Sequence, residues 1–373
     1  MGISRMFDRE PLRVKERNTR RIALGRPESE THITERPDRV KGYLLDYTKE
    51  FIFDEFSPAY LKANNLQDEF GGVGIPLRKE DLQAFKTEKG LGAGILAENM
   101  ARVIGVDPHF RYEKAYSAFV NRIFGRKAVD NLTRKAKDLA DQELYAEACL
   151  YFRAALVLKF DDIAAMYGYA RVLRALYNNS TDEAYVGNLK AESLEYLELL
   201  TEFYPNFDSG WYYLGYMYLN LGLYAKAKIA WERYLLKSKT AKDRREIQKR
   251  LEQIAVPVEI EKGYNAVLSG KWPEGIDILE PYRESVYRDW WPLWYYLGVA
   301  YARTDREDDA ITAFKASLKG NPRHIEAIGE LVELYTARGD KENIKKYKGK
   351  IALIEKDDLA RQRAKEGLLS IAR

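Results

Sequence analysis

The chain is poor in the residue types on which most metal and catalytic sites depend. Its 373 residues include one cysteine, Cys149, and three histidines, His32, His109 and His324, which lie far apart. A single cysteine excludes an internal disulfide framework and fits a reducing compartment. Scattered histidines with no cysteine or carboxylate at ligand spacing do not indicate a metal site. We therefore predict no catalytic residue, no metal and no cofactor, and hence a protein that is not an enzyme.

Long hydrophobic runs are also missing. The sequence has no stretch of about 18 apolar residues that could span a bilayer. Residues 1–13 are charged and lack the apolar centre of a signal peptide. Because hydrophobic residues make up 46% and charged residues 32% of the chain, the composition is typical of a globular, soluble protein. We expect a cytoplasmic location and no membrane partner.

The net charge of +4 is too small to indicate nucleic-acid binding by itself, but positive charge collects near both ends. The first 27 residues contain eight lysines and arginines against three acidic residues, and five lysines lie within residues 341–350. Basic ends can contact RNA, an anionic membrane or an acidic protein. We favour a solvated arm and a solvated helix face, and we keep nucleic-acid contact through the arm as the alternative.

Aromatic and small residues recur at a fixed spacing in the second part of the chain. Counted from Trp291, they occupy positions four, seven, eight, eleven, twenty, twenty-four and thirty-two, as Trp294, Leu297, Gly298, Tyr301, Ala310, Phe314 and Pro322. The same phase recurs in units that begin at residues 129, 163, 208, 256 and 325. This order and spacing resemble the tetratricopeptide repeat, a helix–turn–helix unit of about 34 residues. The resemblance implies an all-α fold, a tetratricopeptide-repeat α-solenoid of about six units.

Changes of composition divide the chain into four predicted segments. Residues 1–38 lack hydrophobic periodicity and predict a disordered basic arm. Residues 39–127 predict a small helical domain of unknown type, whose first helix runs from Arg39 to about Phe56. The repeats follow over residues 129–358, and residues 359–373 predict a C-terminal capping helix or tail.

Two units are longer than the repeat. A polar insertion after Tyr177 (residues 178–182) predicts a longer turn between the two helices of its unit. The charged stretch over residues 237–253 predicts an extended second helix or an additional helix. Insertions of this kind cost little because loop-closure entropy grows slowly with length.

The repeat pattern separates residues that pack from residues that bind. Small residues at positions eight and twenty, such as Gly298 and Ala310, allow the two helices of a unit to approach closely. Large residues fill the seam between units, and we expect Trp294 and Trp231 to be fully buried. Cys149 lies beside an alanine on a predicted second helix and is expected to be a core thiol.

The resemblance also implies a ligand site, because positions two, five, nine and twelve of the first helices line a concave groove in this family. On this sequence the predicted partner-binding residues are Lys137, Tyr167, Arg171, Arg174, Tyr212, Tyr216, Tyr264 and Tyr295. Tyrosine offers rigid area with a hydroxyl, and arginine offers a fork of donors. These residues favour a protein or peptide ligand, especially an acidic one. Packing of some of the tyrosines against their neighbours is the alternative.

One known ligand class does not fit. Family members that bind chaperone C-termini hold the carboxylate with lysine and asparagine side chains at three fixed positions. Here those positions contain Thr133, Lys137 and Gly168. The departure argues against recognition of a chaperone C-terminus.

We therefore predict a scaffold or adaptor that binds a peptide or protein partner in the groove of the repeats. A second function stays open. The stretch from Gly90 to Ala97, followed by Gly105 to Asp107, loosely resembles the helix-turn-helix of DNA-binding regulators. A peptide-sensing transcription regulator is therefore the alternative.

Overall fold

The computed structural model of the chain describes residues 38–86 and 91–371. The predicted basic arm, apart from its last residue, lies outside the described residues, and so does Gly90. No helix in the described part of the chain is long and apolar enough to cross a membrane.

The described residues form two compact units. The N-terminal unit contains residues 38–86, 91–217 and 233–238, and the C-terminal unit contains residues 218–232 and 239–371. The division therefore falls within the helix pair of the third predicted repeat.

The region before the repeats contains helices and a two-stranded antiparallel sheet, which we call the hairpin although two short helices lie between its strands. Its elements are α1 (Lys41–Leu44), β1 (Phe51–Asp54), α2 (Pro58–Ala63), α3 (Gln67–Phe70), β2 (Ile75–Arg78), α4 (Leu82–Lys86), α5 (Ala93–Val106) and α6 (Glu113–Phe124). The prediction of one helix from Arg39 to Phe56 is wrong beyond α1, because a 3₁₀ turn at Leu45–Thr48 leads into β1 instead. A short apolar run such as Phe51–Ile52–Phe53 fits either a strand or a helix, and pairing with a distant segment decides between them.

The hairpin is antiparallel, and Phe51 lies opposite Arg78 while Asp54 lies opposite Ile75. Pro76 is tolerated because both strands of a two-stranded sheet are edges. The carbonyl of Pro76 accepts a hydrogen bond of 3.1 Å from the buried amide of Asn99, which ties the hairpin to α5. The hairpin therefore belongs to the core of this region.

Helix α5 is the centre of the region and packs against β2, α6 and the second helix of the first repeat. A Cβ atom at Gly105 would lie only 2.2 Å from the carbonyl oxygen of Leu150, so only glycine allows this approach. Gly105 lies inside α5, which continues to Val106, and not in a turn. Close helix packing therefore explains the glycine on which the resemblance to a helix-turn-helix depended.

The repeats consist of six consecutive helix pairs in the described residues. They are α7 (Ala128–Asp141) and α8 (Tyr145–Leu158), α9 (Ile163–Asn178) and α10 (Glu183–Phe203), α11 (Asp208–Asn220) and α12 (Tyr224–Lys237), α13 (Ala241–Leu268) and α14 (Trp272–Leu279), α15 (Trp291–Ala302) and α16 (Glu307–Gly320), and α17 (Ile325–Ala337) and α18 (Lys341–Ile371). Within each unit described above, the two helices of a pair pack on each other and on the neighbouring pair. The predicted all-α repeat fold is confirmed.

The first of the two long repeats differs from the prediction in where the extra residues lie, and the second forms the additional helix that was one of its two predicted outcomes. The turn between α9 and α10 contains only residues 179–182, because α10 has 21 residues and takes up the rest. The Asp182 side chain caps α10 by accepting a 2.9 Å hydrogen bond from the amide of Tyr185. The stretch after Lys237 forms an additional helical segment, which continues through Pro257 into the first helix of the fourth repeat as α13.

Glycines and large aromatic residues meet in the repeat cores as their positions predict. A Cβ atom at Gly298 would lie 2.7 Å from Cδ1 of Phe314, so the ring fills the space that the glycine leaves. Ala310 and Trp231 are fully buried. Trp294 is only half-buried, and its indole N–H donates to the carbonyl of Arg288. The expectation of full burial is therefore wrong for Trp294, because the polar edge of its ring faces the loop before α15.

Candidate functional site

The eight predicted partner-binding residues all lie on the first helices of their repeats. Lys137 is on α7, Tyr167, Arg171 and Arg174 are on α9, Tyr212 and Tyr216 are on α11, Tyr264 is on α13 and Tyr295 is on α15. The first six belong to the N-terminal unit and the last two to the C-terminal unit. The two sets have different surroundings, and each is described by itself.

In the N-terminal unit, aromatic rings join α9 to α11. The ring of Tyr167 meets Phe207 edge-on at a centroid distance of 5.3 Å and Tyr213 at 5.6 Å. Edge-to-face pairs at these distances add roughly 0.5–1.5 kcal/mol beyond the area that they bury. Tyr167 and Tyr213 are both half-buried, so the joined rings keep part of their surface in solvent.

Two arginines of α9 lie over these rings. The Cζ atom of Arg171 is 5.4 Å from the ring centroid of Tyr167 and 5.6 Å from that of Tyr213. The Cζ atom of Arg174 is 5.7 Å from the same Tyr213 ring, so two cations share one ring. These separations are within the range of a cation–π interaction. We call Tyr167, Arg171, Arg174 and Tyr213 the arginine–tyrosine cluster.

Neither arginine of the cluster has an ion-pair partner among the described residues. Arg171 is exposed and Arg174 is half-buried. Lys137, which precedes Arg171 by one repeat length, is also exposed and lacks such a partner in the same part of the chain. The surface of the first repeats therefore carries positive charge that no neighbouring carboxylate neutralises.

The helical period explains why α9 presents this cluster. Tyr167, Arg171 and Arg174 are separated by four and three residues and so share one face. The other face carries fully buried residues of the repeat core, among them Met166 and Leu173. The helix begins with a cap in which the Asp162 carboxylate accepts a 3.0 Å hydrogen bond from the amide of Ala165.

Burial and the neighbouring Tyr213 raise the pKa of Tyr167 to about 12. The phenol is therefore neutral at physiological pH, and its hydroxyl can donate or accept a hydrogen bond. Burial likewise raises the pKa of Tyr264 in the C-terminal unit.

The aromatic surface continues along α11. The ring of Tyr212 lies 5.2 Å from that of Tyr213, 5.1 Å from that of Tyr216 and 5.3 Å from that of Tyr234. Sequence analysis did not select Tyr213, because it occupies position six of its repeat, outside the positions taken as the groove. We call Lys137, Tyr167, Arg171, Arg174, Tyr212, Tyr213 and Tyr216 the N-terminal wall.

A buried polar network holds the inner side of α9. Arg153 of α8 donates to the carbonyl of Gly105 at 2.6 Å, to a carboxylate oxygen of Asp38 at 2.5 Å and to the Tyr169 hydroxyl at 3.2 Å. The hydroxyl of Tyr169 in turn donates to Glu192 of α10 at 3.2 Å. The network therefore connects the segment before α1, helix α5 and the first two repeats.

Arg39 completes the network. Its guanidinium donates to Glu192 at 3.1 Å and to Glu195 at 2.6 Å. A second ion pair, at 2.7 Å, joins Lys41 to Asp107 at the end of α5. Ion pairs therefore join residues 38–41 to α10 and to the end of α5.

Burial and charge act in opposite directions on the acids of this network. Burial alone would raise the pKa of Asp38, but the charge and hydrogen bonds of Arg153 hold it below its ordinary value of 3.8. Burial raises the pKa of Glu192 above 4.5, although Arg153 and Arg39 oppose the rise. Glu192 is therefore the member of the network whose ionisation the fold opposes.

In the C-terminal unit, the corresponding tyrosines pack against other rings. Tyr264 stacks on Tyr296 at 4.7 Å and meets Trp290 edge-on at 6.3 Å. The ring of Tyr295 lies 4.5 Å from that of His324 and 6.0 Å from that of Phe314. We call Tyr264, Tyr295 and Tyr296 the C-terminal wall.

Two arginines beside these later repeats, Arg303 and Arg306, are paired with carboxylates. Arg303 lies 3.6 Å from Glu330 of the next repeat, and Arg306 lies 3.2 Å from Glu280. Arg306 also covers the ring of Tyr301 at 4.3 Å. This cation–π pair resembles those of the N-terminal wall, but its guanidinium is already bound to acidic side chains.

Cys149 and His324 have structural roles. Cys149 is fully buried, and burial raises the pKa of its thiol to about 12, so the prediction of a core thiol is confirmed. His324 caps α17, its Nδ1 accepting a 3.2 Å hydrogen bond from the amide of Ala327. Across residues 38–86 and 91–371, no group of three or more histidine, cysteine, aspartate or glutamate side chains could hold a metal ion.

No protein-family model and no curated protein matches the chain. Solved structures similar to it include MamA, at 17% identity over 48% of this chain and 96% of that one, with a TM-score of 0.29. They also include the TPR domain of P58(IPK), at 19% identity, 65% and 68% coverage and a TM-score of 0.36. The complex of the yeast Sti1 TPR2AB domain with pHSP90 matches at 15% identity, 64% and 96% coverage and a TM-score of 0.29. Because these scores are below 0.5, the fold assignment rests on the helix pairs of this chain alone.

Proposed function

We propose that the chain is a protein-interaction scaffold or adaptor that holds a peptide segment of a partner on the N-terminal wall. The observation that supports this most directly is the arginine–tyrosine cluster, whose cations have no ion-pair partner among the described residues. Tyrosine and arginine are enriched among the residues that dominate binding energy, because each supplies a large contact with few rotatable bonds to fix or with several donors. The chain then acts without catalysis, cofactor or metal.

The predicted segments of the chain then have different roles in binding. Repeats within residues 129–358 supply the binding surface, and residues 39–127 support the first repeats from the side of α5. The arm over residues 1–38 and the tail over 359–373 carry no part of the peptide contact. A reducing location such as the cytoplasm suits the free thiol of Cys149.

Peptide selection from a random display library, with the full chain as bait, tests the proposal. Selected peptides are then titrated against the chain and against the double variant Tyr212→Ala/Tyr213→Ala. We expect the double variant to weaken binding at least about tenfold, since each tyrosine supplies contact worth roughly 1 kcal/mol or more. Tyr145→Ala, a half-buried tyrosine at the start of α8, is the matched control and should bind like the parent.

Two results would contradict the proposal. One is the failure of repeated selections to enrich any peptide. The other is a selected peptide that binds the double variant and the Tyr145→Ala control equally well, because the contact would then lie elsewhere on the chain.

A further inference from the structure

We propose that the arginine–tyrosine cluster is an anion-binding subsite that takes the carboxylate of an aspartate or glutamate in an acidic peptide. This inference rests on the proposed function and specifies the chemistry of the partner. It concerns one part of the N-terminal wall, the surface where α9 faces α11.

The cluster carries two positive charges without an ion-pair partner among the described residues. Two guanidinium groups lie within 5.7 Å of the centroid of one tyrosine ring, and neither is paired with a carboxylate of the described residues. Arg306, which lies over Tyr301, is by contrast paired with Asp309 at 2.8 Å. Two neighbouring cations repel each other, and an anion bound between them removes that repulsion. The charge of the cluster therefore favours a negative ligand.

The N–H donors of Arg171 and Arg174 suit a carboxylate ligand. Each guanidinium lies 5.4–5.7 Å from an aromatic ring centroid, and a guanidinium held by a cation–π interaction uses none of its N–H donors for the ring. Those N–H groups form a fork that matches the two oxygens of a carboxylate. Because the rings already hold the arginines in place, less side-chain entropy is lost when a ligand binds.

The charges on the helices of the cluster favour an acidic peptide over nucleic acid. Nucleic acid needs a continuous basic track along its phosphates. Here the helices that carry the cluster begin at acidic residues, Asp161 and Asp162 before α9 and Asp208 at the start of α11. A polyphosphate chain that extended from the cluster would meet these carboxylates. A peptide with a single acidic side chain next to an aromatic residue avoids them and uses the tyrosines of α11.

Lys137 adds a third positive charge one repeat earlier, at the position that corresponds to Arg171. It is exposed and has no ion-pair partner among the described residues. A peptide with a second acidic residue could therefore extend from α9 toward α7. We therefore expect the N-terminal wall to prefer a peptide segment with several acidic residues over a peptide with one carboxylate.

Fluorescence anisotropy of the full chain with two labelled random copolymers tests the inference. One copolymer contains glutamate and tyrosine, and the other contains lysine and tyrosine. We expect binding of the glutamate copolymer only. Arg171→Gln/Arg174→Gln should weaken that binding at least about tenfold, since the charge-assisted hydrogen bonds to the carboxylate are lost.

The control removes the same charge from a different surface. Arg245→Gln/Lys249→Gln changes two exposed residues of α13 and should leave binding within about twofold of the parent. Thermal melts of both double variants should match the parent, so that weaker binding cannot be attributed to unfolding.

Three results would overturn the inference. The copolymers could bind equally, or the two double variants could bind equally. A single-stranded polyuridine could also bind more tightly than the glutamate copolymer and lose that binding in Arg171→Gln/Arg174→Gln. If display-selected peptides need Tyr212 and Tyr213 but contain no acidic residue and ignore the arginines, the inference fails while the proposed function stands.

Discussion

The N-terminal wall and the C-terminal wall both carry tyrosines at positions five, six and nine of their repeats, yet the surroundings of these tyrosines differ. Tyr167 and Tyr213 are covered by Arg171 and Arg174, which have no carboxylate partner among the described residues. Tyr264 and Tyr295 instead pack against Tyr296, Trp290, Phe314 and His324. One set of tyrosines lies beside guanidinium groups, and the other lies against aromatic rings and an imidazole.

The difference shows that a repeat position does not decide between binding and packing. Tyr212 and Tyr295 both occupy position five, and the residues on the next element determine what each ring contacts. In the C-terminal unit, His324 and Phe314 lie close enough to cover Tyr295. Residues that bind a partner must therefore be chosen from contacts between helices, and the predictions that follow test that choice.

The largest effect is expected for Arg153→Met, on the side of α9 away from the arginine–tyrosine cluster. Loss of this buried guanidinium leaves Asp38 and Glu192 without their shared cation, and breaking a buried pair typically costs about 3–5 kcal/mol. Denaturant unfolding at neutral pH measures it. Arg171→Met, at an exposed position of α9, should change the free energy of unfolding by less than about 0.5 kcal/mol. Similar losses in both variants would show that Arg171 is not a surface residue.

A somewhat smaller effect is expected for Gly298→Leu in the C-terminal unit. The new side chain would collide with the Phe314 ring, since even a Cβ atom would lie 2.7 Å from it, and overpacking typically costs about 1–3 kcal/mol or more. Gly329→Leu is the matched control, because a Cβ atom there meets nothing within 4 Å. The control should be neutral or slightly stabilising, since leucine favours a helix over glycine. Equal melting temperatures for the two variants would contradict the proposed packing of this repeat.

Glu192→Gln tests the network behind the N-terminal wall through its pH dependence. Because burial raises the pKa of Glu192 in the folded chain above 4.5, the folded state binds the proton more tightly than the unfolded state does. Its contribution to stability is therefore complete below pH 4.5 and is lost as the pH rises through the raised pKa, with a slope of at most about 1.4 kcal/mol per pH unit. Glu192→Gln should remove this loss. Asp38 does not interfere, because its lowered pKa affects stability only below its ordinary value of 3.8.

If the parent and Glu192→Gln show the same dependence of unfolding free energy on pH above 4.5, Glu192 is not the titrating group. The buried network would then have to be neutral or more hydrated than its contacts indicate. That result would not bear on the arginine–tyrosine cluster. The buried network and the cluster both include residues of α9, but they have no residue in common.

Much of the repeat architecture follows from the sequence, because the same small and aromatic residues recur at fixed positions within the units and show where each unit begins. The helices that the phase places at residues 163, 208 and 291 begin at Ile163, Asp208 and Trp291. Local turn chemistry and small residues at fixed spacing are enough for such a prediction. The hairpin of residues 51–78 is different, because its strands are distant in sequence and only their pairing distinguishes them from helices.

The candidate site could be predicted only in part. The repeat positions predict Arg171 and Arg174 as site residues. They do not predict Tyr213, because its place in the site depends on contacts with side chains of α9. The same holds for Arg153, whose partner Asp38 lies 115 residues away. Contacts between residues so far apart depend on how whole helices pack, and a single sequence does not specify them.

The most direct test of the contrast compares Tyr213→Ala with Tyr295→Ala in two assays, denaturant unfolding and binding of the glutamate–tyrosine copolymer. We predict that Tyr213→Ala weakens binding about tenfold, since its ring supports the two arginines, and costs about 1–3 kcal/mol of stability, since its contacts with Tyr167 and Tyr212 are also lost. Tyr295→Ala should cost about 2–3 kcal/mol and leave binding within about twofold, since its ring fills a seam. Equal effects of the two substitutions in both assays, or the reverse pattern, would contradict the division between a binding wall and a packing wall.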